Sequence, residues 1–258
     1  MSAVYIYGIV KEPRARVLDY RGIGEAEVYM INAGGLSAVA SCVETSEVDP
    51  TRKNVCAHIV VQDNLMKEYT LLPMSFGTVA DDDESVAAML EKNHDIFAAE
   101  LARFAGRIEA SLKVFWDSDA IIAELREKDK GFDKLKEEAG KAPREKAELL
   151  LVEIGKKVEK VALEWQQKYS SRIYASLKAL AIDAVSNEMT APRCILAVSF
   201  LLEKAREDEF KARIYALDEQ CDGKLEFKYV APLPPYSFVT VRLEGGSKAK
   251  RDSRQVPL

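Results

Sequence analysis

Histidine is nearly absent from this chain, with two residues in 258. That excludes His-rich metal sites and leaves little room for imidazole acid–base chemistry. Cysteine is sparse too. Cys42, Cys56, Cys194 and Cys221 form no C-x-x-C pair and match no zinc spacing. Cys42 and Cys194 lie in apolar runs and are expected to be small buried hydrophobes. Scattered, unpaired thiols suit a reducing compartment, so a cytoplasmic location is expected. No apolar run approaches the ~20 residues that span a bilayer, and Met1-Ser2-Ala3-Val4-Tyr5 carries no basic n-region. No membrane partner is therefore expected. Excess positive charge is also missing: 37 Lys and Arg stand against 42 Asp and Glu, a net of −5. A nucleic-acid partner needs clustered cations and is not expected. No G-x-S-x-G, P-loop or Cys/His nucleophile signature occurs. The residues give an enzyme no support, and no catalytic residue, cofactor or metal ligand is expected.

What is present is a globular composition, 48% apolar, long enough for two domains. Charged residues reach 31%, which points to long solvated helices. The charge is uneven. Residues 1–105 hold 9 basic and 16 acidic residues, while 106–258 hold 28 and 26. Such asymmetry supports two units with different surfaces.

Periodicity predicts an α+β chain. Residues 3–10 (AVYIYGIV) read as a buried strand, and 26–32 and 36–44 read as a hairpin turned by Asn32-Ala33-Gly34-Gly35. A helix is predicted over 54–70, an extended piece over 71–79 and one amphipathic helix from 81 to 105. The first domain is thus 1–106, with order β-β-β-α-β-α. From 107 the order is β-α-β-β-α-β, the split βαβ of a ferredoxin-like fold over 107–243. Its first helix is replaced by a long helical, coiled-coil-like insert at about 118–181. Leu151, Ile154, Val158, Val161 and Trp165 are spaced 3, 4, 3, 4 in one helix running from 144 to 181. Residues 193–202 are apolar almost throughout and read as a central strand. Residues 244–258 form a polar, basic tail with Lys248, Lys250, Arg251 and Arg254.

The motifs that might carry chemistry have plainer readings. Gly22-Ile23-Gly24 lacks a third glycine and precedes a strand, so it turns the chain rather than binding a dinucleotide. Asp81 to Glu84 reads as helix capping rather than a cation loop. His58 and His94 are expected to be surface or packing histidines. Phe227 and Tyr229 share one face of the last strand, but their surroundings do not fit an RNA-binding signature. The unusual stretch is 230–239, VAPLPPYSFV, with three prolines in four positions. These cannot donate to a ladder and preset an extended path. Exposed apolar patches are rare on soluble monomers. That favours packing along its own domain; the other reading presents Leu233, Tyr236 and Phe238 to a partner.

Four stretches together, VYIYGIV at 4–10, LLPMSFGTV at 71–79, RIEASLKVFWD at 107–117 and YVAPLPPYSFV at 229–239, resemble the gas vesicle protein F / gas vesicle protein L family. The last is the most specific, although Ala231 stands where family members usually carry glycine. Ser75 stands where a basic residue is frequent. The resemblance implies an N-terminal α/β domain followed by a modified ferredoxin-like domain. It also implies a non-enzymatic gas vesicle component or assembly factor that serves buoyancy. Its partners would be the hydrophobic shell protein, gas vesicle protein A, and other accessory proteins during vesicle nucleation and formation. Its place would be the cytoplasm and the gas vesicle, including the gas-facing surface. Candidate partner-binding residues are Leu233, Tyr236 and Phe238 on the proline segment, and Leu151, Val158 and Trp165 on the helical seam. The alternative is a ferredoxin-like ligand- or RNA-binding regulatory module.

Overall fold

The structure, a computed structural model, describes residues 3–240. The expected basic tail at 244–258 lies outside the described residues. The described residues divide into two units: one holds residues 3–105 and 234–240, and the other spans Gly106–Leu233.

The first unit is built on an antiparallel sheet. Its strands are β1 (Ala3–Val10), β2 (Val17–Arg21), β3 (Glu27–Ala33), β4 (Leu36–Val43), β5 (Leu71–Pro73) and β6 (Val79–Ala80). The order is β2-β3-β4-β1-β5, with β6 also paired to β1. Strand β1 is apolar at nearly every position, so it occupies a place covered on both faces, and all eight residues are buried. Gly34 and Gly35 both hold positive φ, 63° and 86°, between the paired residues Ala33 and Leu36. That is the two-residue hairpin turn in which glycine avoids the Cβ penalty. Helix α1 (Arg52–Glu68) starts at Thr51, whose hydroxyl accepts from Asn54 N–H, and sets Val61 and Leu65 against Tyr5, Tyr7, Val28 and Val39. Helices α2 (Asp83–Lys92) and α3 (His94–Phe104) contact β3, β4 and β5.

Three expectations change here. No element is predicted between the strands at 3–10 and 26–32, yet β2 lies there, with Leu18 and Tyr20 alternating inward along a sheet edge. The helix expected over 81–105 is two helices. At Asn93 (φ −110°, ψ 17°) the backbone leaves the helical region, and the side chain adds a bond to the Met89 carbonyl at 2.9 Å. Cys42 is exposed rather than buried, because it sits at the outer end of β4 beside the Tyr29 hydroxyl.

The second unit has strands β7 (Arg107–Trp116), β8 (Asp183–Ser186), β9 (Cys194–Glu203) and β10 (Leu225–Leu233). They form one antiparallel sheet in the order β10-β7-β9-β8. Pro232 is accommodated because β10 is an edge strand and its register shifts between Val230 and Leu233. Between β7 and β8 lie α4 (Ser118–Lys128), α5 (Phe132–Lys141), α6 (Arg144–Trp165), a π-helical turn (Gln166–Ser170) and α7 (Ser171–Lys178). Helix α8 (Glu207–Glu219) joins β9 to β10.

The π turn has a cause in the sequence. Trp165, Tyr169, Ile173 and Leu177 follow one another at intervals of four. At 3.6 residues per turn, three such steps overshoot three full turns by about 120°. Widening one turn absorbs most of the overshoot. All four side chains are consequently buried, none more than 7% exposed.

Candidate functional site

Two features are candidates, the proline segment and the helices between β7 and β8. The proline segment was expected to belong with 107–243, but from Pro234 it packs with the first unit. A turn of 3₁₀ helix at Tyr236–Phe238 buries Phe238 to 3% exposure, and Arg103 Nη1 donates to the Phe238 carbonyl at 3.3 Å. Pro234 and Pro235 are buried as well.

The Tyr236 hydroxyl closes a buried polar network. Each proton in it can be assigned by elimination. Tyr5 Oη accepts from Gly77 N–H at 3.0 Å, which leaves its own proton for His58 Nδ1 at 2.9 Å. With Nδ1 accepting, neutral His58 carries its proton on Nε2 and donates to Tyr236 Oη at 3.0 Å. Tyr236 then donates to Gln62 Oε1, with the Met74 carbonyl at 3.3 Å as a second acceptor. Gln62 Nε2 in turn donates to the Tyr7 and Met74 carbonyls at 2.7 and 3.1 Å. His58 is 2% exposed, and burial pushes its imidazole down to about 4, so it is neutral at physiological pH. Burial raises the Tyr5 and Tyr7 hydroxyls above their ordinary value, so both keep their protons. Every donor meets an acceptor and no nucleophile is generated. The arrangement fastens the proline segment to the unit that carries β1 and α1.

The remaining motifs are structural. Tyr7 Oη accepts from Ile23 N–H and pairs with Ser41 Oγ, both at 2.8 Å. A Cβ on Gly22 would stand 2.1 Å from that hydroxyl, which explains the glycine without a phosphate. Asp82 accepts from Ser85 N–H at 2.7 Å and caps α2. His94 Nε2 lies 3.1 Å from the Gly34 carbonyl. Among the described residues no group of three or more His, Cys, Asp or Glu is placed to hold a metal ion, and no helix is long and apolar enough to cross a membrane.

In the second unit Tyr229 packs on Phe210 of α8 at 6.1 Å between ring centroids, so its ring face is occupied within the fold. The helical seam is inward-facing at one end only. Trp165 is 3% exposed and donates through Nε1 to Glu124 at 3.1 Å. Burial works against the Glu124 charge, but hydrogen bonds from Lys128, Trp165 and Lys224 hold its carboxyl down to about 2. Val158 is half-buried, and Leu151 is 58% exposed. Of the six candidate partner residues, Phe238 and Trp165 are thus buried, Leu233 and Val158 are half-buried, and Leu151 and the Tyr236 ring reach solvent. Tyr236 and Phe238 belong to the first unit, while Leu233, Leu151, Val158 and Trp165 belong to the second. Leu149, Val152 and Leu163, exposed by 72%, 57% and 51%, were missed. Their signal was a second heptad-spaced register on the outer side of α6, hidden among lysines and glutamates.

The whole described chain, residues 3–240, matches the family model for the gas vesicle synthesis protein GvpL/GvpF. A gas vesicle protein F of a Nostoc species is 25% identical over 244 residues, covering 93% of this chain and 99% of the relative. The crystal structure of GvpF from an Anabaena species has a TM-score of 0.74 at 24% identity over 94% of this chain and 100% of that one. At that identity the likeness shows the fold. The crystal structure of GvpF from Microcystis aeruginosa has a TM-score of 0.71 at 26% identity, covering 93% and 99%. With a match that begins in β1 and ends just past the Tyr236 turn, the chain belongs to the gas vesicle synthesis protein GvpL/GvpF family.

Proposed function

We propose that this chain is a non-enzymatic gas vesicle assembly factor or minor component that binds the hydrophobic shell protein, gas vesicle protein A, and other accessory proteins during vesicle nucleation. The observation that carries the reading is the family match across residues 3–240. The physical need is clear: a shell subunit with an apolar gas-facing side would aggregate before assembly unless a soluble partner covers it. Leu151, the exposed member of the helical seam, is the candidate contact that remains open. Its setting in the cytoplasm, and at the gas-facing surface once vesicles form, belongs to the same reading. We read the second unit as a modified ferredoxin-like domain with a helical insert, which the strand order β10-β7-β9-β8 supports.

The test is co-expression with the shell protein. The chain should raise the soluble fraction of the shell protein and co-purify with it. Leu151→Asp, a surface change that leaves the core intact, should lower that capture. Equal precipitation of the shell protein with and without the chain would overturn the reading. Tyr236→Asp and Phe238→Asp are poor probes, because both break the network and packing that hold the proline segment.

A further inference from the structure

We propose that α6 pairs with α6 of a second copy of this chain, antiparallel, about a two-fold axis passing between residues 157 and 158. Helix α6 carries two heptad-spaced registers. The inner one, Ile154, Val158, Val161 and Trp165, turns toward α4 and α5. The outer one runs Leu149, Val152, Lys156, Glu159 and Leu163, again at intervals of 3, 4, 3 and 4, and every member is exposed. A seam of this spacing is what a partner helix requires. Scattered surface leucines would need no explanation, but three large aliphatics in one heptad register do.

The charges in the middle of the stripe select the occupant. In the antiparallel pair centred between 157 and 158, Val152 meets Leu163 of the other copy, and Lys156 meets its Glu159. Symmetry repeats both contacts. A parallel pair would place Lys156 on Lys156 and Glu159 on Glu159. Moving the axis to residue 156 would again oppose the two lysines. The sequence is therefore self-complementary in one direction and one register, the role that polar residues at seam positions serve in coiled coils. Gly155 is an independent sign. It sits in the middle of α6, is exposed, and beyond its own stretch of helix nothing lies within 4 Å of where a Cβ would be. A helix-interior glycine is unfavourable relative to alanine and here serves no internal packing. In the proposed pair it flanks the Lys156–Glu159 contact at the edge of the seam, where its missing side chain leaves the facing helix room.

One helix pair is a small interface, so a reversible dimer is expected. Sedimentation of the purified full chain over a concentration series tests it. The average mass should rise from one chain toward two. Val152→Asp/Leu163→Asp should hold the chain at one copy while its circular dichroism and melting stay unchanged. Lys156→Glu should weaken association at least tenfold, and adding Glu159→Lys should restore it. A constant single-chain mass would overturn the proposal, as would association that ignores Val152→Asp/Leu163→Asp or a charge swap that fails to rescue. If the wild type stays single and Val152→Asp/Leu163→Asp instead loses shell-protein capture, the outer face belongs to the shell protein and self-pairing is refuted. Self-association is read on the isolated chain, so its failure leaves the shell-binding reading to its own experiment.

Discussion

Replacing Tyr236 by Phe keeps the ring and removes one oxygen. That oxygen accepts from His58 Nε2 and donates to Gln62 Oε1, with the Met74 carbonyl in reach. His58 and Gln62 are 2% and 1% exposed, so water does not replace the missing partner freely. A buried donor or acceptor left unpaired costs about 1–3 kcal/mol. Two such groups are orphaned here, but the Tyr236 ring is 40% exposed and admits some solvent at its edge. The expected destabilisation is therefore about 2 kcal/mol, near the low end for two groups. For a unit of this size that lowers the melting point by roughly 10 °C. Urea titration followed by far-UV circular dichroism measures it. Trp116 and Trp165 both lie in the unit spanning Gly106–Leu233, so tryptophan fluorescence in the same titration provides a reference for that unit. A loss under about 0.5 kcal/mol would mean that the network is not closed by Tyr236.

Other expectations follow from the same contacts. His58 is held neutral, with its folded value near 4 against 6.5 unfolded, so its share of stability is complete above pH 6.5 and is lost as pH falls toward 4. That share is about 3 kcal/mol, and His58→Gln should flatten the acid limb of a stability-versus-pH series by that much; parallel curves would contradict it. Glu124→Gln keeps an acceptor for Trp165 and removes the charge facing Lys128 and Lys224. It should cost about 1 kcal/mol in a tryptophan-monitored titration at pH 7. That difference should shrink as pH falls from the ordinary carboxylate value of 4.5 toward about 2. Gly22→Ala drives a methyl group into the Tyr7 hydroxyl, which Ser41 and Ile23 hold in place. It should destabilise by about 1–3 kcal/mol in urea, and a neutral result would show that the loop can move aside.

Local pattern carried much of the fold and little of the site. Strands β1, β7 and β9 were legible because their apolar runs are the buried centres of sheets. Gly34-Gly35 marked a turn that needs positive φ. Strand β2 was not legible, since five residues at a sheet edge show only Leu18 and Tyr20 turned inward. The break at Asn93 is one residue leaving the helical φ/ψ region, which periodicity alone would continue through. The run of four-residue spacings after Trp165 was visible, but its consequence, a π turn, emerges only when all four side chains must reach the same core. The histidine network was out of reach for a different reason. Its members come from β1, α1, the loop after β5 and a turn 178 positions beyond His58, and no local window contains them. The proline segment could be recognised as unusual, whereas the direction in which it packs is a tertiary fact.

The central claim is that this chain engages the gas vesicle shell protein directly. Its most direct test is binding between two purified components. The tagged chain is immobilised and gas vesicle protein A, kept soluble as a fusion, is passed over it, with the fusion partner alone as control. Saturable retention of the shell fusion, reduced by Leu151→Asp, is the predicted result. Retention no greater than that of the fusion partner alone would contradict direct engagement.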